Sequence, residues 1–146
     1  TSIGDKEAVY RAFSLTKADK LKDKKFAILS GGEKQKIVIA RAVAQTTPWM
    51  LLDEPIASLD IKNQIEIMQT LSELNRQEGV SVLMVLHDIN LAGIYCDRLI
   101  MLKDGQVIAA GNTNECLCEE NLKKLYDISF FHMDTKKGQR YYYAEI

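Results

Sequence analysis

An α/β fold with a mainly parallel sheet is the architecture this chain predicts, and three observations carry it. Short apolar runs of strand length, Met50 to Asp53 and Val80 to Leu86, alternate with longer segments of helical period. The first run ends in acids, Asp53 and Glu54, as a strand delivering chemistry to its C-terminal end would. The 146 residues are 47% hydrophobic, enough for a real core.

Element by element, Asp5 to Phe13 reads as a helix with Val9, Ala12 and Phe13 along one side. A lysine-rich polar link, Lys17 to Lys25, leads to Ser30-Gly31-Gly32. Good helix formers recur from Glu33 to Gln45, with Ile37, Ala40, Val43 and Ala44 on one side, which places the glycines just ahead of a helix N-terminus. Met50 to Asp53 suits a buried parallel strand, and Trp49 at its entry reads as core. From Ile61 to Glu78 the apolar positions Ile65, Met68, Leu71 and Leu74 keep a helical period, and Gly79 stands at the expected C-terminus. Val80 to Leu86, β-branched and apolar, is a second buried strand. Helix resumes over Asn90 to Cys96. Leu99 to Leu102 and Val107 to Ala110 then flank a hairpin turn at Asp104-Gly105. A helix near Glu119 to Tyr126 and a second hairpin, Phe130 to Met133 with Arg140 to Ala144, complete the chain. In that last strand Tyr141, Tyr142 and Tyr143 take alternate faces rather than forming a stacking surface.

Composition bounds the function. A net charge of -1 offers no bulk attraction to nucleic acid or anionic lipid, so any membrane connection runs through another protein. The longest apolar runs are far too short to span a bilayer, and no signal peptide is visible. The first residue is Thr1 rather than Met, which reads as a trimmed or truncated chain. Three cysteines favour a reducing compartment over a disulfide framework. Cys116, Cys118 and His132 lack the spacing of a zinc site, and Cys96 reads as a buried small hydrophobe.

The chemistry-bearing residues fall in a fixed order. Ser30, Gly31 and Gly32 offer backbone N–H groups, a hydroxyl and the positive end of a helix to an anion. Asp53 follows an apolar strand, where a hard oxygen ligand suits magnesium, and Glu54 stands beside it as a base for an attacking water. Asp60 precedes a helix and reads as its N-cap. His87 ends the second strand. Taken singly, each has an ordinary structural reading: a loop, a solvated turn, a cap, a hydrogen-bond donor.

Taken together, the run from Leu29 to Ala42, the stretch Trp49 to Pro55, Ala57-Ser58-Leu59-Asp60 and His87-Asp88 resemble the ATP-binding cassette family of transport ATPases. No Gly-x-x-x-x-Gly-Lys-[Ser/Thr] phosphate loop, the Walker A motif, occurs in the 146 residues, so the resemblance is to the C-terminal portion of a cassette. It implies a layered P-loop NTPase-like fold lacking its Walker A half. It divides the chain into residues 1–28, part of a helical signature subdomain; 29–112, the signature and catalytic core; and 113–146, a terminal helix and hairpin. By resemblance, ATP and Mg2+ are the cofactors and Asp53 is the Walker B metal ligand. Glu54 is then the general base and His87 the residue that contacts γ-phosphate and water. Ser30, Gly31 and Gly32 reach the γ-phosphate of ATP bound on a partner cassette, and Asp60 is the D-loop aspartate crossing that interface. The implied partners are a second ATPase subunit and transmembrane permease subunits, with no nucleic acid, at the cytoplasmic face of the plasma membrane.

From about Phe26 through Tyr126, with His87 to Ala92, Tyr95 to Arg98 and Leu102 to Gly105 weighing most, the resemblance is strongest to ATPases of ferric siderophore, haem or cobalamin importers. Glu33, Lys36 and Ile56 depart from the commonest family residues, Ile56 by lacking a hydroxyl near the catalytic acid. Two rival readings are a non-transport cassette ATPase of DNA repair or translation, and a non-enzymatic fragment. In the implied fold the strand feeding the phosphate loop lies between the strand leading to His87 and the one near Leu99. Its absence predicts unpaired edges that the chain closes by rearrangement or strand swapping, or else an exposed apolar groove.

Overall fold

The computed structural model describes residues 3–145; Thr1, Ser2 and Ile146, which fall in the first and last sequence-based segments, lie outside the described residues. Packing divides the chain into two compact units, one ending at His87 and the other starting at Asp88. That division falls inside the 29–112 segment, so the packing boundary and the motif boundaries do not coincide.

In the first unit, α1 (Ile3–Leu15) ends in a tight turn in which the buried Thr16 hydroxyl donates to the Ala12 carbonyl at 2.8 Å. Ala12 is buried as expected, but Val9 is exposed, so the predicted stripe is narrower than its sequence. The lysine-rich link is not plain loop. It holds a short 3-10 turn, Asp19–Leu21, whose Leu21 packs with Ala18 and Leu29. Helix α2 runs Gly31–Val43. The glycines are therefore its first two residues rather than its prelude, because Ser30 and Glu33 form a capping box that starts the helix there: Glu33 N–H donates to Ser30 Oγ at 3.3 Å and Ser30 N–H to Glu33 Oε2 at 2.9 Å.

Strand β1 (Trp49–Leu52) leads through a turn to α3 (Ile61–Glu78), which crosses over to β2 (Ser81–Met84). The two strands pair in parallel, with Leu52 opposite Met84. Helix α3 buries Ile67, Met68, Thr70, Leu71 and Leu74, while Ile65 sits at the exposed margin of that face. Gly79 at φ 68° closes the helix in the left-handed conformation that disfavours side chains. Met50 faces the core. Trp49, expected there too, is 62% exposed, and Leu51 on the same face is 72% exposed. The expected burial of both strands fails for a physical reason: alternate residues point to opposite faces, and only one face of this pair is covered.

In the second unit, α4 (Ile89–Tyr95) is followed by an antiparallel hairpin, β3 (Arg98–Lys103) and β4 (Gln106–Asn112). Its turn residues Asp104 and Gly105 have φ 49° and 75°, the paired positive values of a tight hairpin. Short α5 (Thr113–Cys116) and α6 (Glu119–Tyr126) precede a second hairpin, β5 (Phe130–Asp134) and β6 (Arg140–Ala144). Tyr142 is buried with Met101, Leu117 and Leu122, while Tyr143 faces outward, the alternation read from the sequence. Cys96 is half-buried, and burial pushes its thiol up from the ordinary value.

Of the three two-stranded sheets described, only β1–β2 is parallel. A parallel pair needs a crossover, which α3 supplies, whereas the tight turns after Lys103 and Asp134 can only produce antiparallel neighbours.

Candidate functional site

The parallel register assembles the site. Val85 N–H donates to the Leu52 carbonyl at 3.0 Å, extending the ladder past Met84, so both chains leave the sheet side by side and in the same direction. The residues beyond those ends are Asp53 and Glu54 on one strand and His87 on the other. Glu54 Oε1 and His87 Nε2 lie 2.7 Å apart, with their side chains 46% and 74% exposed. Glu54 adopts φ 44°, a left-handed conformation that costs a non-glycine residue about 1–3 kcal/mol and that clusters at functional positions. The turn is braced from two sides: Pro55 and Ile56 are buried, and Gln64 Nε2 of α3 donates to the Ile56 carbonyl at 3.2 Å. Ile56, which lacks the hydroxyl common at this place, thus serves as an apolar anchor for the turn.

Such a pair can accept a proton from water at the carboxylate while the imidazole holds an oxygen or the carboxylate in place. Asp53 is exposed beside it. Among the described residues no group of three or more His, Cys, Asp or Glu side chains is placed to cage a metal. A cation at Asp53 would draw its other oxygens from water and phosphate, the habit of magnesium rather than zinc.

A second set of residues lies at two helix starts. Gly31 and Gly32 present their backbone at the N-terminus of α2, where unpaired N–H groups and the helix dipole favour an anion. Ser30 is both its cap and the hydroxyl of that turn. Asp60 caps α3, accepting from Asn63 N–H at 2.9 Å, so the N-cap reading holds. The capping box has a sequence signal, Ser30-x-x-Glu33; the bracing by Gln64 and the contacts of Asn63 have none, because both depend on which helix packs where.

Both capping carboxyls are held below their ordinary values, Glu33 by the Ser30 N–H first and by Lys24 next, Asp60 by the Asn63 N–H first. A lowered folded-state value means that the stabilisation is fully present above the ordinary carboxylate range of about 4 and is lost as pH falls through the lowered values. Amide exchange at Ser30 and Asn63, whose N–H groups donate to the two carboxyls, is therefore expected, once corrected for the intrinsic effect of pH, to lose protection below about pH 4. Protection that stays flat through that window would count against both caps.

The chain as a whole is similar to known proteins. Residues 4–57 match the family described as ABC transporter. The ferric enterobactin transport ATP-binding protein FepC of Escherichia coli K12 is 41% identical over 130 residues, 89% of this chain and 48% of the relative. The petrobactin import ATP-binding protein FpuC of Bacillus anthracis is 42% identical over 124 residues, 85% of this chain and 46% of the relative. Among solved structures, an inward-facing metal-chelate type ABC transporter superposes with a TM-score of 0.93 at 26% identity, over 100% of this chain and 59% of the other. CbiO1 of Clostridium perfringens, part of the transporter complex cbiONQ, gives a TM-score of 0.73 at 34% identity, over 82% of this chain and 47% of the other. The chain thus spans about half the length of the relatives it matches.

Proposed function

Because the chain belongs to the ATP-binding cassette family of transport ATPases, we propose that it supplies the hydrolytic and partner-facing half of an ATPase subunit that drives import of a metal chelate. The observation that carries this is the Glu54–His87 pair, 2.7 Å apart at the ends of two parallel strands beside Asp53. Glu54 takes the proton of the attacking water, and His87 holds that carboxylate and meets the terminal phosphate. Asp53 holds magnesium. The bound triphosphate supplies the phosphoryl group and the leaving diphosphate. Ser30, Gly31 and Gly32 meet the phosphate of a nucleotide held by a second cassette, and Asp60 reaches across the same interface.

Among the described residues no helix is long and apolar enough to cross a membrane. The relatives' names as transport and import ATP-binding proteins support attachment to the cytoplasmic membrane face through permease subunits. The importer relatives act on ferric enterobactin and petrobactin by name, which supports a ferric chelate as cargo.

In this family the phosphate-loop lysine and its nested N–H groups supply most of the grip on nucleotide, and the 146 residues hold no such motif. The purified chain is therefore expected neither to bind MgATP tightly nor to hydrolyse it, as equilibrium dialysis and phosphate release would report. Magnesium-dependent turnover by this chain, abolished by Glu54→Gln, would show the site to be wrongly built.

A further inference from the structure

Gly32 has no room for a side chain, and what fills the space is the amide of Asn63. A Cβ placed on Gly32 would stand 2.5 Å from Asn63 Cγ and 3.1 Å from Nδ2, with Oδ1 closer still. The backbone of Gly32 is not in the left-handed region, so conformation is not what demands glycine there. Gly31, by contrast, has ordinary clearance, 3.5 Å from Leu59 Cδ2.

Asn63 is itself held in that orientation. Its backbone N–H donates to Asp60 Oδ1 at 2.9 Å, the bond any N-cap makes. Its side-chain Nδ2 also donates to Asp60 Oδ2 at 2.9 Å, which capping does not require. Both oxygens of Asp60 are thereby occupied by one residue, and the amide oxygen of the same side chain lies against Gly32.

We propose that Asn63 is a positioning residue that couples the first turn of α2 to the Asp60 loop through a single amide group. The role of this coupling rests on the reading, given above, of Ser30–Gly32 as the phosphate-contacting turn and Asp60 as the residue that reaches a partner subunit. For Asp60 to turn outward it must release Asn63, and a released Asn63 no longer fills the space beside Gly32. Engagement of the phosphate-contacting turn is thus transmitted within the subunit to the neighbouring residue of the same partner-facing interface.

The test uses the 146-residue chain without nucleotide. Gly32→Ala is expected to lower the melting temperature by about 2–4 °C, because a methyl there displaces the amide and breaks its bond to Asp60. Asn63→Ala costs less, and the double variant Gly32→Ala/Asn63→Ala melts above Gly32→Ala, the non-additivity of a shared contact. Additive losses overturn the coupling. If Gly32→Ala does not fold, the Asp60 carboxyl carbon decides by NMR titration in Asn63→Ala. There the Asp60 titration is expected to move partway up toward the ordinary value of about 3.9, the backbone bond remaining; an unmoved titration overturns the proposal. Neither measurement involves ATP, so a failure here is separate from a failure of the hydrolytic reading, which the activity of Glu54 and Ser30 variants decides.

Discussion

Glu54→Gln, introduced into a protein that also carries a phosphate loop, is expected to lower ATP turnover by about 10²-fold or more while leaving ATP binding intact. Glutamine keeps the size of the side chain and its place in the φ 44° turn, so what is lost is the ability to take a proton. His87→Ala should fall in the same range by removing the group 2.7 Å from that carboxylate. The double variant should be little worse than either single one, since two groups that act as a unit are not additive. Ser30→Arg provides the contrast. It places a long cation in the first turn of α2, so ATP-induced dimerisation should weaken before the chemistry does. Single-turnover kinetics beside a dimerisation assay separate the two effects. If Glu54→Gln turned over at the parent rate, or if Ser30→Arg dimerised and turned over normally, the corresponding role would have to be given up.

What made this site readable is that its geometry follows from short-range rules. A parallel pair joined by one crossover helix exits the sheet in register, so acids after the first strand and a histidine after the second are bound to meet. The ends of helix α6, Glu119 and Tyr126, and the Asp104-Gly105 turn stand where the sequence predicts them, because both are set by local chemistry. The readings that failed depend on distant chain. Trp49 has the composition of a core residue, and its exposure is decided by what covers the second face of β1–β2. The place of Gly32 inside α2 follows from a local cap, Ser30 to Glu33, but its need for glycine comes from Asn63 on another helix. No pattern along the sequence links those two positions.

The uncovered face of β1–β2 is expected to make the isolated chain self-associate, and removing its apolar side chains should abolish this at little cost in stability. Trp49 and Leu51 from one strand share that face with Leu83 and Val85 from the other, at 62%, 72%, 54% and 49% exposure. Large side chains left in water on one contiguous sheet surface are an association site, and among the described residues neither strand has a second partner to block its outer edge. The β1–β2 pair thus carries an exposed apolar surface and not a rearranged sheet. Light scattering across a concentration series should show mass rising with concentration for the parent chain. Leu51→Lys/Leu83→Lys should remain monomeric, with a melting temperature within a few degrees of the parent, since neither side chain contributes much buried area in the isolated chain. Hydrogen exchange separates surface from edge: the amides of Val82 to Leu86 should be less protected than those of Met68 to Leu74 in α3 when the chain is dilute, and gain protection as it associates. A parent chain that stays monomeric at high concentration, with those strand amides as protected as the α3 core, would mean that the face is satisfied in a way the sheet geometry does not show.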